Sequence, residues 1–353
     1  MRPTRRDLFK AAAAGLLPSR LPAARLDGDA PVVSIVRIPD GNIDYAVEHA
    51  IDLLGGMPSV TKGKERVLLK PNLVSPQPNA TTKPAVVRAL VRLMKGAGKE
   101  VSIGEGSAAA PPFNVHGLEV FRTTKRELLD PMQQAVFDQL GYSELARSLR
   151  VSLINLHTGE LVDVQVPGAF VFDKVTIHRS LVETDLLCSV PMMKTHSLAG
   201  VTLGMKNLVG VFPGTVYQAV RGRMHDAAAK VEPSGTASAV VDMVRANKLG
   251  LTVVDASSAM EGFGPTNGTQ VPMETIVAGT NPLATDMVAA YLMGFEPPEI
   301  PTFVWANKAG MRPERLDEIE LRGEPVEKVR RVFKRPPIVP WSVAGKGWAT
   351  REI

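Results

Sequence analysis

The apolar positions of this chain fall into short blocks whose spacing alternates between strand and helix. Valines and isoleucines at residues 32–38 predict a strand, and residues 43–54 place Ile43, Ala46, Val47, Ala50, Ile51 and Leu54 on one helical face before Gly55-Gly56 ends it. The pattern repeats as a strand at 66–69, a helix at 84–95 stopped by Gly96 and Gly98, and a strand at 100–103. It resumes later with strands at 186–190, 251–255 and 274–278, helices at 236–247 and 281–293, and a final strand at 319–322. This alternation predicts an α/β fold with a mostly parallel central sheet flanked by helices. Residues 108–180 interrupt it. Pro111-Pro112, a helix at 132–140 and short strands at 151–155, 162–166 and 174–178 predict a small inserted α+β region with an antiparallel excursion. Residues 28–330 therefore read as a single α/β domain carrying that insertion, and the Pro- and charge-rich residues 331–353 as a C-terminal extension. No repeat of solenoid period occurs.

The first 27 residues stand apart from this pattern. Thr4-Arg5-Arg6-Asp7-Leu8-Phe9-Lys10 precedes an alanine-rich apolar run, then Pro18, Arg20, Ala23 and Ala24. The order of basic, apolar and small residues resembles a twin-arginine signal peptide, and the apolar run is too short to span ~30 Å of hydrocarbon. It departs from the usual form in having Leu8-Phe9 and in the interruption by Arg20. The expected partner is the twin-arginine translocation machinery, and the expected location is the periplasm or another exported compartment. A basic amphipathic helix is the plainer alternative.

Composition narrows the rest. Apolar residues make up 44% of the chain and charged residues 22%, an ordinary globular balance. The formal charge of +5 includes Arg2, Arg5, Arg6, Lys10, Arg20 and Arg25 against Asp7 and Asp27, so a chain without its leader is close to neutral. Nucleic-acid binding thereby loses its main support. Cys188, the one cysteine, excludes an internal disulfide and an iron–sulfur cluster of the chain's own; in its apolar run it reads as a buried small hydrophobe.

Candidate chemistry concentrates at the ends of the expected strands. Lys70 and Asn72 follow the strand at 66–69, Glu105 follows that at 100–103, and Asp255 and Glu261 begin the Gly-rich DASSAMEGFGPTNG. Val190 to Gly210 carries Lys194, His196, Lys206 and Asn207 among small residues, and His225 follows Arg221 and Arg223 in what reads as a basic segment over a pocket. In parallel sheets ligands bind beyond the carboxyl ends of strands. Lys70, Lys194 and Lys206 converging there would suit a carboxylate or phosphate, with Asn72, Asn207 and His225 contacting it. Crowding would lower a lysine's pKa toward use as a base or imine-forming nucleophile. Glu105, Asp255 and Glu261, with the histidines, offer a donor set for a divalent metal. Each has a plainer reading as a buried ion pair, an Asx-turn or a structural hydrogen bond; Asp286, within the last long helix, could cap or bind a neighbouring loop.

The segments VLLKPNLV, GEGS, DLLCSVPMMKTH, VTLGMKNLVG, the following His225, VVDASSAMEGFGPTNG and AGTNPLATDMVAA, in this order, resemble the domain of unknown function 362 family across residues 33–295. The resemblance implies no particular reaction. Many relatives add a ferredoxin-like cluster domain, which a chain with one cysteine lacks, and Asn281 stands where relatives often show Asp. The reading is an exported enzyme acting on a small anionic substrate through Lys194, His196 and Lys206, assisted by a metal. The alternative is a non-catalytic binding or metal- or cofactor-handling protein serving a redox partner.

Overall fold

The computed structural model describes residues 30–348 and 351–353; the expected leader, residues 1–27, lies outside them. The strands, in chain order, are β1 (Val32–Arg37), β2 (Arg66–Pro71), β3 (Glu100–Glu105), β4 (Val115–His116), β5 (Glu119–Val120), β6 (Ser152–Asn155), β7 (Leu161–Gln165) and β8 (Lys174–His178). They continue as β9 (Leu186–Val190), β10 (Met192–His196), β11 (Gly200–Thr202), β12 (Leu249–Glu261), β13 (Thr269–Val271), β14 (Thr275–Gly279) and β15 (Glu320–Gly323). Among the described residues, eleven form one sheet with the path β15-β1-β14-β12-β9-β2-β3-β6, to which β10, β11 and β13 attach near the end of β12. Pairing is parallel except around β14, which runs antiparallel to both β1 and β12, and at the added β11 and β13. The expected mostly parallel α/β sheet is present.

Its central strands are apolar throughout because both faces are covered. Alternate side chains still divide between two cores: Leu68, Leu187 and Val254 enter one, and Val67, Leu69, Leu186, Cys188 and Val253 the other. Helices Ile43–Asp52 and Pro84–Gly96 close the second face. The first is capped by Asn42, whose Oδ1 accepts from Tyr45 N at 3.1 Å; the second opens on proline, where the lost N–H has no intrahelical role. Ala237–Ala246, Pro282–Leu292 and Pro301–Lys308 close the other face. Among the described residues no helix is long and apolar enough to cross a membrane.

Three local expectations are corrected. Ser152–Asn155 does not join the antiparallel excursion but extends the main sheet, parallel to β3; only β7 and β8 pair antiparallel. The helix expected from residue 132 begins at Arg126 and contains Pro131, because Leu129 is already buried in the turn ahead of it. β12 continues to Glu261 rather than ending at Asp255. A register shift opposite Met192 and Lys194 lets that extension pair with β10, and β13 closes on it from the other side.

Candidate functional site

Beyond the carboxyl ends of β2 and β3, and alongside β10, lies a cavity of about 750 Å³ lined by Lys70, Asn72, Glu105, Lys194, His196, Lys206, Asn207, Arg221 and His225. The structure thus brings together every expected catalytic and substrate-binding residue. Asp255 and Glu261 are not in its lining.

The three lysines have different surroundings. Lys70 is fully buried and donates to Glu105 Oε2 at 2.8 Å, Asn207 Oδ1 at 2.8 Å and Pro71 O at 3.0 Å. An ammonium has three protons, so none remains for a substrate. This corrects the expectation that Lys70 contacts one. Burial lowers its pKa while Glu105 opposes the shift. Glu105 is itself fixed: Oε2 accepts from Leu73 N at 2.7 Å and Oε1 from Gly106 N at 2.8 Å. Asn207 also donates to Lys70 O at 2.9 Å and Ser189 Oγ at 3.0 Å, and accepts from Asn72 Nδ2 at 3.0 Å. The Asn207 amide is therefore part of the frame, whereas Asn72 Oδ1 is buried without a partner among the described residues. A Cβ at Gly210 would collide with Glu105 and Lys70, which is why this packing requires glycine there.

Lys194, in the buried strand β10, donates to Ala80 O at 2.5 Å. Burial, then the charges of Lys206 and Lys70, lower its pKa to about 7. Lys206 sits in the short helix Gly204–Asn207, whose first N–H groups, Gly204 N and Met205 N, donate to the buried Asp286 at 2.7 and 2.8 Å. That is the loop-binding role open to Asp286 from the sequence. Its pKa rises to about 7 because burial outweighs those two bonds. The Lys206 ammonium has no hydrogen-bond partner among the described residues although the residue is only 8% exposed. Burial, followed by Lys70 and Arg221, brings its pKa down to about 7.

Two neutral imidazoles face this group. His196 Nδ1 accepts from Leu198 N at 3.1 Å, which leaves the ring proton on Nε2. His225 Nδ1 lies 2.7 Å from Gly235 O, an acceptor, so Nδ1 carries the proton and Nε2 is left as an acceptor. Burial, then Lys206, holds His196 well below its ordinary pKa and His225 at about 3. The cavity therefore offers one imidazole donor and one imidazole acceptor.

Arg221 is buried, contrary to its reading within a basic segment over the pocket. It donates to Ser107 O at 3.0 Å, Gly210 O at 3.1 Å and Val209 O at 3.2 Å, and also to Gly106 O and Ala219 O. It is a fixed cation tying three loops together. Behind His225, Trp341 stacks at 4.3 Å and its Nε1 donates to Asp226 Oδ1 at 2.7 Å. Trp341 ends a C-terminal strap that also binds the pocket loops through Val339 N to Ser197 O at 3.0 Å and Lys334 N to Glu261 Oε2 at 2.8 Å. Sequence spacing could not reveal Trp341, which lies 115 residues beyond Asp226.

The three carboxylates expected to hold a metal are held apart by separate partners. Glu105 pairs with Lys70, Asp255 accepts from Lys83 N at 2.8 Å and Ser257 Oγ at 2.5 Å, and Glu261 binds the strap. Among the described residues, no group of three or more His, Cys, Asp and Glu side chains could hold a metal ion. Asp255 follows its plainer Asx-turn reading.

A mostly parallel α/β sheet with a cation-rich cavity at its strand ends defines the class of fold. The chain belongs to the family of the domain of unknown function DUF362, whose model matches residues 67–291, more than half of its length. It is similar to the thylakoid-associated protein sll1697 of Synechocystis sp., 24% identical over 302 residues covering 85% of each chain. Among solved structures it matches the lactate racemase apoprotein from Thermoanaerobacterium thermosaccharolyticum at 13% identity and a TM-score of 0.43, covering 78% of this chain and 59% of that one. A protein from Thermotoga maritima matches at 16% identity and a TM-score of 0.34, covering 61% of this chain and 50% of that one. Superpositions at these scores carry no argument about chemistry.

Proposed function

We propose that this protein is an enzyme that binds a small organic anion in the cavity and moves a proton on it through Lys206. The supporting observation is the contrast in partners: Lys206 is buried, lines the cavity and has no hydrogen bond among the described residues, while Lys70 has its donors filled. A buried polar group without a partner costs stability, and an anionic ligand removes that cost. With a pKa of about 7, the same amine is available in both protonation states near neutrality, the condition for general acid–base work. His196 Nε2–H supplies a donor to the anion, and His225 Nε2 an acceptor for a neighbouring hydroxyl or protonated group. Lys194 adds a second adjustable charge. Export through residues 1–27 belongs to the same proposal, since a twin-arginine route carries folded proteins.

Two measurements test it. Calorimetric titration with acetate and inorganic phosphate at pH 6 is expected to show binding by the native protein and at least tenfold weaker binding by Lys206→Met. Equal binding by both would overturn the assignment of Lys206. In deuterium oxide, proton NMR of a panel of 2-oxo acids should show exchange next to the carbonyl with the native protein and none with Lys206→Met. Binding without exchange across the panel would leave the non-catalytic reading standing. Edman sequencing of protein exported from cells checks the leader: a mature start near residue 28 is expected.

A further inference from the structure

The cavity is larger and less polar than a small acid requires. Besides Lys206, Lys194 and the two imidazoles, its wall carries the apolar side chains of Val74, Leu198, Val220 and Val120. Two large hydrophobic residues complete it from opposite segments. Leu118, 98% exposed, lies in the turn of the β4–β5 hairpin, and Phe263, 62% exposed, follows the end of β12. Side chains of this size gain nothing from facing water at the lip of a cavity unless an apolar body covers them in use. A volume of about 750 Å³ also falls within the roughly 300–1,000 Å³ typical of sites that enclose molecules of drug size.

We infer that the natural ligand is an amphipathic organic anion, its charged head at Lys206 and an acyl or aromatic body running outward to Leu118 and Phe263. The inference rests on the anion-pocket reading above and adds the class of molecule. The volume requires size: an acid of two or three carbons would pair with the ammonium and leave most of a cavity of about 750 Å³, with its apolar side chains, wet. Leu118 and Phe263 form no part of the polar machinery, and their exposure makes polar replacements compatible with folding.

The test is a homologous series of straight-chain carboxylates, from acetate to decanoate, titrated beside the matching primary alcohols. All are kept monomeric, below the concentrations at which they micellise. Affinity for the acids should rise about fourfold with each methylene that enters the apolar section, the ordinary gain on burying one CH₂. The acids should bind at least tenfold more tightly than alcohols of equal length. Leu118→Ser with Phe263→Ser should flatten the dependence on length and leave acetate binding unchanged, whereas Lys206→Met should erase the preference for acid over alcohol and keep the dependence on length. Acids that bind with no dependence on length would overturn this inference and leave the anion pocket intact. A dependence on length shared equally by acids and alcohols would instead overturn the anion reading, and this inference with it. A length dependence that persists unchanged in the double serine variant would remove the outer lining from the binding site.

Discussion

Lys70 and Lys206 line the same cavity and are both buried amines in a low-dielectric surrounding, yet their partners differ completely. Lys70 meets three acceptors, one of them the charged Glu105, whereas Lys206 meets none and shares its region with other cations. The first arrangement builds a frame. The second leaves charge without compensation, which folding tolerates only at a cost and which a ligand can relieve. Buried lysines in one wall thus divide by their partners, and burial alone does not distinguish structure from function.

The sharpest way to break this contrast is to remove charge from each side of it. Glu105→Gln leaves the Lys70 ammonium buried beside a neutral amide and should destabilise the protein by about 3–5 kcal/mol in urea denaturation. Lys206→Met, which replaces an unpartnered amine with an apolar chain, should hold or raise the urea midpoint while weakening anion binding. If both variants lost stability equally, the division between frame and site would fail. Trp341→Ala should cost about 3 kcal/mol and weaken binding as well, because it removes the ring behind His225; thermal unfolding together with titration separates the two effects. Asp286→Asn should cost about 1–3 kcal/mol by leaving one of the Gly204 and Met205 N–H groups poorly paired, with a secondary loss of binding through displacement of Lys206.

The smallest effect is a pH dependence, and its sign follows from the lowered lysine pKa. Lys206 titrates near 7 when folded and near its ordinary value of 10.5 when unfolded, so between those limits the unfolded chain holds more protons. Its penalty on stability is full below pH 7 and is relieved as pH rises toward 10.5; Lys194 adds a like slope, so Lys206→Met should reduce the combined slope by about half. Asp286 acts in the opposite sense over a lower window: its raised pKa gives a contribution that is complete below the ordinary carboxylate range and lost as pH rises through about 7. Anion affinity should fall across pH 7 as Lys206 and Lys194 lose charge. Titrations at pH 6 and pH 8 check this, and equal affinities would remove the binding charge from Lys206 and Lys194.

The sequence showed the sheet well because its apolar blocks are short, regular and punctuated by glycine. It left β10 without a strand, because Lys194 and His196 give it the polarity of a loop, and it ended β12 too early, at Asp255, because of the glycines after Glu261. Both lapses share a physical origin: tertiary contacts supply the cover that makes charged residues tolerable in a strand, and no local spacing reports them. Gathering Lys194, His196, Lys206 and His225 at one cavity could be inferred from strand ends. Partner assignment could not, since the donors on Lys70 are filled by groups up to 137 residues away. The metal expectation failed for the same reason, because three carboxylates that look alike in sequence are directed to three different neighbours.

The strap behind His225 also sets an order of events. Synthesis from the amino end lays down both unlike lysines and both imidazoles well before Trp341, which meets Asp226 across 115 residues of chain. Until that ring docks, His225 has no backing and the loops at Ser197 and Glu261 lack the bonds that hold them. The cavity is accordingly complete only once the strap has docked, and a ligand can be seated in its finished form only after elongation has passed the strap.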